Sequence, residues 1–265
     1  MGSKVIQGNL DVVGNILQNG SSMSIPVAEV EAILKYGAVP DPILENNSWA
    51  LIRKVCEAGD AANYWSVGDS KNVVGGDGYT RPLTIVDMQG LYGKHVVFQF
   101  RVTSENKYVW EADEEVNDYE NSDMVLTHLA VGGDAYTAMV SPDLGAQLTN
   151  TTVKVCKGGK DATLVDVTGK LFLPAMKEIT TSPASSIVES RTEENAALTT
   201  FQYYVTHNAQ ADRVINMPST SSGASLWLRS PSSGDTNGVC FVSYDGSLDV
   251  YPVYNSRRVA PCIAF

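Results

Sequence analysis

The chain has 265 residues, 43% of them hydrophobic and 18% charged, with a formal net charge of -11 from 19 Lys plus Arg against 30 Asp plus Glu. That length and apolar content suffice for one large domain, or a domain with a small appendage, around a substantial core. The acidity argues against a nucleic-acid partner, since phosphate binding needs a basic patch, and the absence of any apolar run of spanning length argues against membrane insertion.

Cys56, Cys156, Cys240 and Cys262 lie far apart, with no CxxC and no histidine at ligand spacing, so they read as buried small hydrophobes rather than a zinc site. The N-terminal stretch lacks the continuous apolar segment of a signal peptide, which implies synthesis in the cytoplasm.

In chain order, KVIQGNLDVVGNILQNGSSMS alternates apolar residues with polar residues and glycines, a pattern of short strands broken by turns. Its phrase GNLDVVGNILQNG resembles a glycine-punctuated repeat of phage tail fibres. IPVAEVEAILKYGAV sets Val27, Val30, Ile33 and Leu34 on one helical face between Pro26 and Gly37, and the PDP at 40–42 reads as a linker. A helix is expected over Trp49 to Ala58, a strand at Tyr64 to Val67, and strands in YTRPLTIV and KHVVFQFRVTS.

The stretch EADEEVNDYENSDM offers oxygen ligands for calcium but lacks EF-hand spacing, so a solvated loop or helix start is expected. DMVLTHLAVGGDAYTAMVS reads as a helix ending at Gly132, and TNTTVKVCKG as a strand. The polar tract after Pro183 reads as loop with a short helix around Ala196 to Tyr204. LWLRSP, GVCFVSYDGSLDVYPV and RRVAPCIAF read as strands, with Asp245-Gly246 the strongest hairpin signal.

YWSVGDSKNV, DYENSDM, KLFLPAMKEI, SLWLRSP and VSYDGSLDVYPVYNSRRVAPCIAF occur in that order. From Asn47 to Phe265 this series resembles a domain of gut bacteria and their phages that is similar to the C-type lectin fold, and in particular the variable proteins of diversity-generating retroelements. The usual closing Gly-Val-Arg-Pro is replaced here by Arg257, Arg258, Val259, Ala260 and Pro261. The resemblance implies an α+β, C-type-lectin-like (formylglycine-generating-enzyme-like) domain over 46–265, a small N-terminal segment over 1–45 for oligomerisation or tail attachment, and a variable region over about 227–265. It implies a buried terminal strand, a phage-tail or bacterial-surface location, a host-cell surface protein or glycan as partner, and a homo-oligomer, a trimer by analogy with fibre proteins. No cofactor or metal is implied.

Diversified adenine-rich codons yield Asn, Ser, Tyr, Asp and Thr, residue types that suit adaptable binding from a rigid support. The expected contacts are Ser232, Ser233, Asp235, Thr236 and Asn237 after WLRSP, then Ser243, Tyr244, Asp249, Tyr251, Tyr254, Asn255 and Ser256. A bend near Pro252 is expected to re-aim Tyr254. Trp227, Leu228, Arg229 and Pro231 belong to the scaffold in this reading, with Arg229 satisfying buried carbonyls or a carboxylate.

Catalysis finds little support. Cys240 and Cys262 are the only candidates for the copper-binding pair of formylglycine-generating oxidases, and their separation departs from that pattern. His95, His128 and His207 have no GxSxG-type partner, and Gly75, Gly76 and Gly78 lack the lysine of a phosphate loop. The rivals to a diversified binder are a fixed bacterial lectin-like module and a tail-fibre polysaccharide depolymerase, for which no carboxylate pair stands out.

Overall fold

The computed structural model describes residues 16–18, 21–23, 26–113, 117–183 and 192–265. Most of GNLDVVGNILQNG lies outside the described residues, as do 114–116 of the acidic stretch and 184–191 of the polar tract. The architecture is mixed α+β.

The first described elements are β1 (Ile16–Gln18) and β2 (Ser21–Met23), which pair as a hairpin. Helix α1 (Val27–Tyr36) follows Pro26 and ends at Gly37, whose positive φ of 85° lets its N–H close on the carbonyl of Ile33. Its apolar stripe does not face the core. Val27, Ile33 and Leu34 are exposed among the described residues, whereas Ala32 and Tyr36 are buried. Tyr36 and Lys35 both donate to the Asp60 carboxylate, which orients the helix by its polar side.

Helix α2 (Trp49–Glu57) matches the expected bounds. The Ser48 hydroxyl accepts from the N–H of Leu51 at its start, and Trp49, Ile52, Val55 and Cys56 are buried at helical spacing. The strand expected at Tyr64 to Val67 begins later, as β3 (Ser70–Val74). Trp65 is instead drawn into the core with its indole N–H on the carbonyl of Asp41, 3.0 Å away, and its own N–H on Ala61, so this segment is a turn.

Strands β3, β4 (Thr80–Asp87) and β5 (Val97–Phe100) build a sheet that receives the chain's last strand. After β6 (Tyr108–Val109) the helix expected to end at Gly132 is shorter and stops at His128. A single π-helical turn, Met124–His128, gives way to α3 (Asp134–Met139) and α4 (Pro142–Gly145). The chain folds back so closely that a Cβ on Gly133 would stand 2.0 Å from the carbonyl oxygen of Thr127. Strands β7 (Thr151–Gly158) and β8 (Asp161–Gly169) form a hairpin, and the helix expected at 196–204 is two, α5 (Thr192–Ala197) and α6 (Gln202–Thr206). Between them Phe201 is buried and its N–H bonds the carbonyl of Glu178.

The remaining strands are β9 (Leu226–Pro231), β10 (Gly238–Val242), β11 (Leu248–Pro252), β12 (Ser256–Arg257) and β13 (Cys262–Ala264). β13 pairs with β5 in the order β13-β5-β4-β3, Ile263 opposite Phe98. On its other side Cys262 exchanges both backbone hydrogen bonds with Phe172, at 2.7 and 3.1 Å. Every residue from Val259 to Phe265 is buried. This segment is therefore part of the core.

Candidate functional site

The candidate face is a three-stranded antiparallel sheet in the order β11-β10-β9. The expected hairpin joins β10 to β11, with Val242 opposite Leu248 and Gly246 at φ 85° in the turn. Gly246 packs so tightly that a Cβ there would meet the carbonyl oxygen of Gln210 at 2.0 Å.

Beneath the face, Arg229 is fully buried. It donates to the carbonyls of Leu173 (2.7 Å) and Lys154 (3.2 Å) and forms a two-pronged ion pair with Glu178, one arm at 2.6 Å. Both partners expected for it from the sequence, carbonyls and a carboxylate, are present. Tyr92 also donates to Glu178, and Ser230 donates to the buried Glu194. Desolvation pushes the Glu194 carboxyl above the ordinary range against the hydrogen bonds that it accepts. A cavity of about 300 Å³ reaches this region between Tyr92, Lys154, Asp166 and Leu198, but the Glu178 carboxylate on its wall is engaged by Arg229 and Tyr92.

Of the expected contacts, Asp235, Thr236, Tyr244, Tyr251 and Tyr254 are exposed, and Ser233, Asn237, Ser243, Asp249, Asn255 and Ser256 are half-buried. Ser232 is a correction: it is buried, because its N–H continues the β9–β10 pairing onto the carbonyl of Gly238. The loop that it opens is held from the acidic stretch. Asn117, fully buried, donates to the carbonyls of Asp235 (3.0 Å) and Gly238 (2.6 Å) and accepts from the N–H of Gly159 (2.6 Å). That part of the stretch is therefore a structural clamp rather than a solvated loop; Tyr119, Ser122 and Met124 are buried with it.

Asp249 and Tyr251 lie on β11 and Ser256 on β12, and the other residues fall into two groups. Ser233 to Asn237 lie by the start of β10, and Tyr254 with Asn255 lies in the turn that follows Pro252, tied to them by the N–H of Val253 on the carbonyl of Asn237. Ser243 and Tyr244 lie at the hairpin tip, at the other end of β10's five residues, roughly 15 Å away at ~3.3 Å per residue.

Arg257 was absent from the expected contacts and joins the face. Trp227, Phe241 and Tyr251 form an edge-to-face row across the three strands, with centroids 6.4 and 5.8 Å apart, and the guanidinium of Arg257 lies against all three. The signal available in the sequence was an arginine pair directly after Tyr254-Asn255-Ser256 in an acidic chain. Arg257 and Arg258 also line a cleft of about 190 Å³ with Lys107, Ser225 and Tyr244.

The four cysteines are buried thiols, and burial pushes Cys262 well above the range in which thiolate forms. His128 pairs with Asp134 at 2.7 Å, and His207 stacks on Tyr203. Among the described residues no cluster of three or more His, Cys, Asp or Glu side chains could hold a metal ion, and no helix is long and apolar enough to cross a membrane.

No curated protein and no solved structure matches the chain. A family model does match, over residues 92–264, which takes in the buried Arg229–Glu178 pair and the β9–β11 face. The chain thus belongs to the family described as Domain of unknown function (DUF6273).

Proposed function

We propose that this chain is a ligand-binding variable protein of phage or prophage type, in which a C-type-lectin-like scaffold displays a diversifiable face to a host-cell surface protein or glycan. One observation carries the reading: in residues 226–265 buried strand segments alternate with exposed and half-buried side chains. Leu226 to Ser232, Gly238 to Val242 and Val259 to Phe265 are buried, whereas Asp235, Thr236, Tyr244, Tyr251 and Tyr254 between them are exposed. Side chains on that backbone can change without disturbing the core, and exposed tyrosines give large contact area at low entropic cost. The lectin-like assignment rests on the resemblance and is supported by the terminal strand's pairing with β5, remote in sequence.

The protein acts by binding, not catalysis. Location at a phage tail tip or bacterial surface follows from the same resemblance, as does assembly into a homo-oligomer.

The test is to sequence many copies of the gene from its native population. Substitutions confined to 227–265 and to adenine-containing codons are expected. Uniform silent variation along the gene would overturn diversification and leave a fixed lectin-like module. A polysaccharide shortened by the purified protein, seen by size-exclusion chromatography, would overturn the non-catalytic reading.

A further inference from the structure

The cleft beside the hairpin tip carries a charge opposite to that of the molecule around it. Lys107, Arg257 and Arg258 line it together with Tyr244, Met217 and Ser225, in a chain whose formal charge is -11. The cations come from remote segments. Lys107 directly precedes β6, Arg257 pairs with Tyr108 across the β12–β6 ladder, and Arg258 bridges to Leu226 of β9.

Among the described residues none of the three cations has a carboxylate partner. The Nε–H of Arg257 and of Arg258 is buried without a protein acceptor, and the hydrogen bond made by the Arg257 guanidinium goes to the carbonyl of its neighbour Ser256, 3.0 Å away. Adjacent like charges repel, and a buried donor without an acceptor is costly. The arrangement satisfies no internal pair, whereas Arg229 and Arg81 elsewhere each hold a carboxylate. Guanidinium forks match a carboxylate in geometry as well as charge.

Size and surroundings narrow the ligand. About 190 Å³ is smaller than the ~300–1,000 Å³ of pockets that enclose a whole small molecule, so the cleft takes one unit of a larger ligand. A polyanion would be repelled by the acidic surface, which favours a lone acid on a neutral body. The Tyr244 ring, 68% exposed, is free to cover one side of a sugar. An acidic peptide that added as a strand to the sheet would meet the edge strand β11. That edge carries Pro252, and the carboxylate of Asp249 already holds the N–H of Val250 at 2.8 Å.

We propose that this cleft binds the carboxylate of a single acidic sugar, of sialic- or uronic-acid type, borne on an otherwise neutral glycan. The inference rests on the ligand-binding reading above and names the ligand class.

The experiment titrates the full ¹⁵N-labelled chain with N-acetylneuraminate and glucuronate, and with their uncharged methyl esters as controls. The acids are expected to shift the amides of Lys107, Ala224, Tyr244 and Arg258, and the esters to bind about tenfold more weakly. Lys107→Gln, at an exposed position, and Arg258→Gln should each weaken acid binding to a similar degree, with amide dispersion reporting intact folding. Equal binding of acid and ester overturns the proposal. So does saturation by sulfate as tight as by the sugars, or by a glutamate-containing peptide where sugars fail. The two readings fail separately. Host-cell binding lost in Tyr254→Ala but kept in Lys107→Gln overturns the acidic-sugar site and leaves the display surface standing. Host-cell binding indifferent to every face substitution, with acid binding still dependent on Lys107, overturns the display surface alone.

Discussion

The guanidinium carbon of Arg257 lies 4.0 Å from the ring centroid of Tyr251, the closest of its three aromatic contacts. The residue just after the displayed Tyr254-Asn255-Ser256 thereby ties the outer strand of the face to Phe241 and Trp227 beneath. Such a contact contributes ~0.5–1 kcal/mol at partly exposed sites. A double-mutant cycle of Tyr251→Ala and Arg257→Met, read by urea denaturation, should give a coupling of that size. Coupling near zero would mean that backbone pairing with Tyr108 alone positions the arginine.

Burial makes the Arg229–Glu178 pair a different case. Removing one partner leaves the other charged in the core, so Arg229→Met is expected to lower unfolding free energy by ~3–5 kcal/mol. Replacing both, by Arg229→Met with Glu178→Leu, should cost less than the single change. A double variant at least as unstable as Arg229→Met would show that the carbonyls of Leu173 and Lys154, rather than Glu178, carry the demand for a cation.

Glu194 gives stability a recognisable pH dependence. Its carboxyl is raised above the ordinary value of 4.5, chiefly by desolvation, so the folded chain holds this proton more tightly than the unfolded one. Its contribution is fully present below pH 4.5 and is lost as pH rises through the folded value. Asp77 works in the opposite sense: burial pushes it up, hydrogen bonds from Arg81 and the N–H of Tyr79 outweigh that, and its stabilisation is lost on acidification. Comparing wild type with Glu194→Gln isolates the first effect. The variant should gain on the wild type as pH is raised from 4.5, in urea melts at a series of pH values. Parallel curves would place the carboxyl in its ordinary range.

The proposed oligomer makes a prediction at α1. Val27 and Leu34 are more than 60% exposed among the described residues, an apolar stripe that self-association would cover. Light scattering should give a multiple of the 28.5 kDa chain mass, reduced in Leu34→Glu. A monomer for the wild type would remove the oligomer from the proposal.

The short-range signals in the sequence were sufficient for several elements. Ser48 and the apolar spacing fix α2, Asp245-Gly246 fixes the β10–β11 turn, and the apolar run after Arg258 marks a buried strand. A lone arginine amid LWLRSP also announces its need for carbonyls and a carboxylate, since every atom of that cation must be satisfied inside. These follow from cap chemistry, turn geometry and hydrophobic periodicity, all read within a few residues.

What the tertiary structure alone decided depends on residues far apart in the chain. Ser232 is buried because its N–H pairs across to Gly238, whose carbonyl Asn117 holds from 121 positions away, and the apolar stripe of α1 faces outward because Asp60 takes Lys35 and Tyr36. The cleft exists only where Lys107, Ser225, Tyr244 and Arg258 converge. No local pattern encodes such meetings. They are set by strand register and by long-range hydrogen bonds, whose partners are chosen only when the core closes.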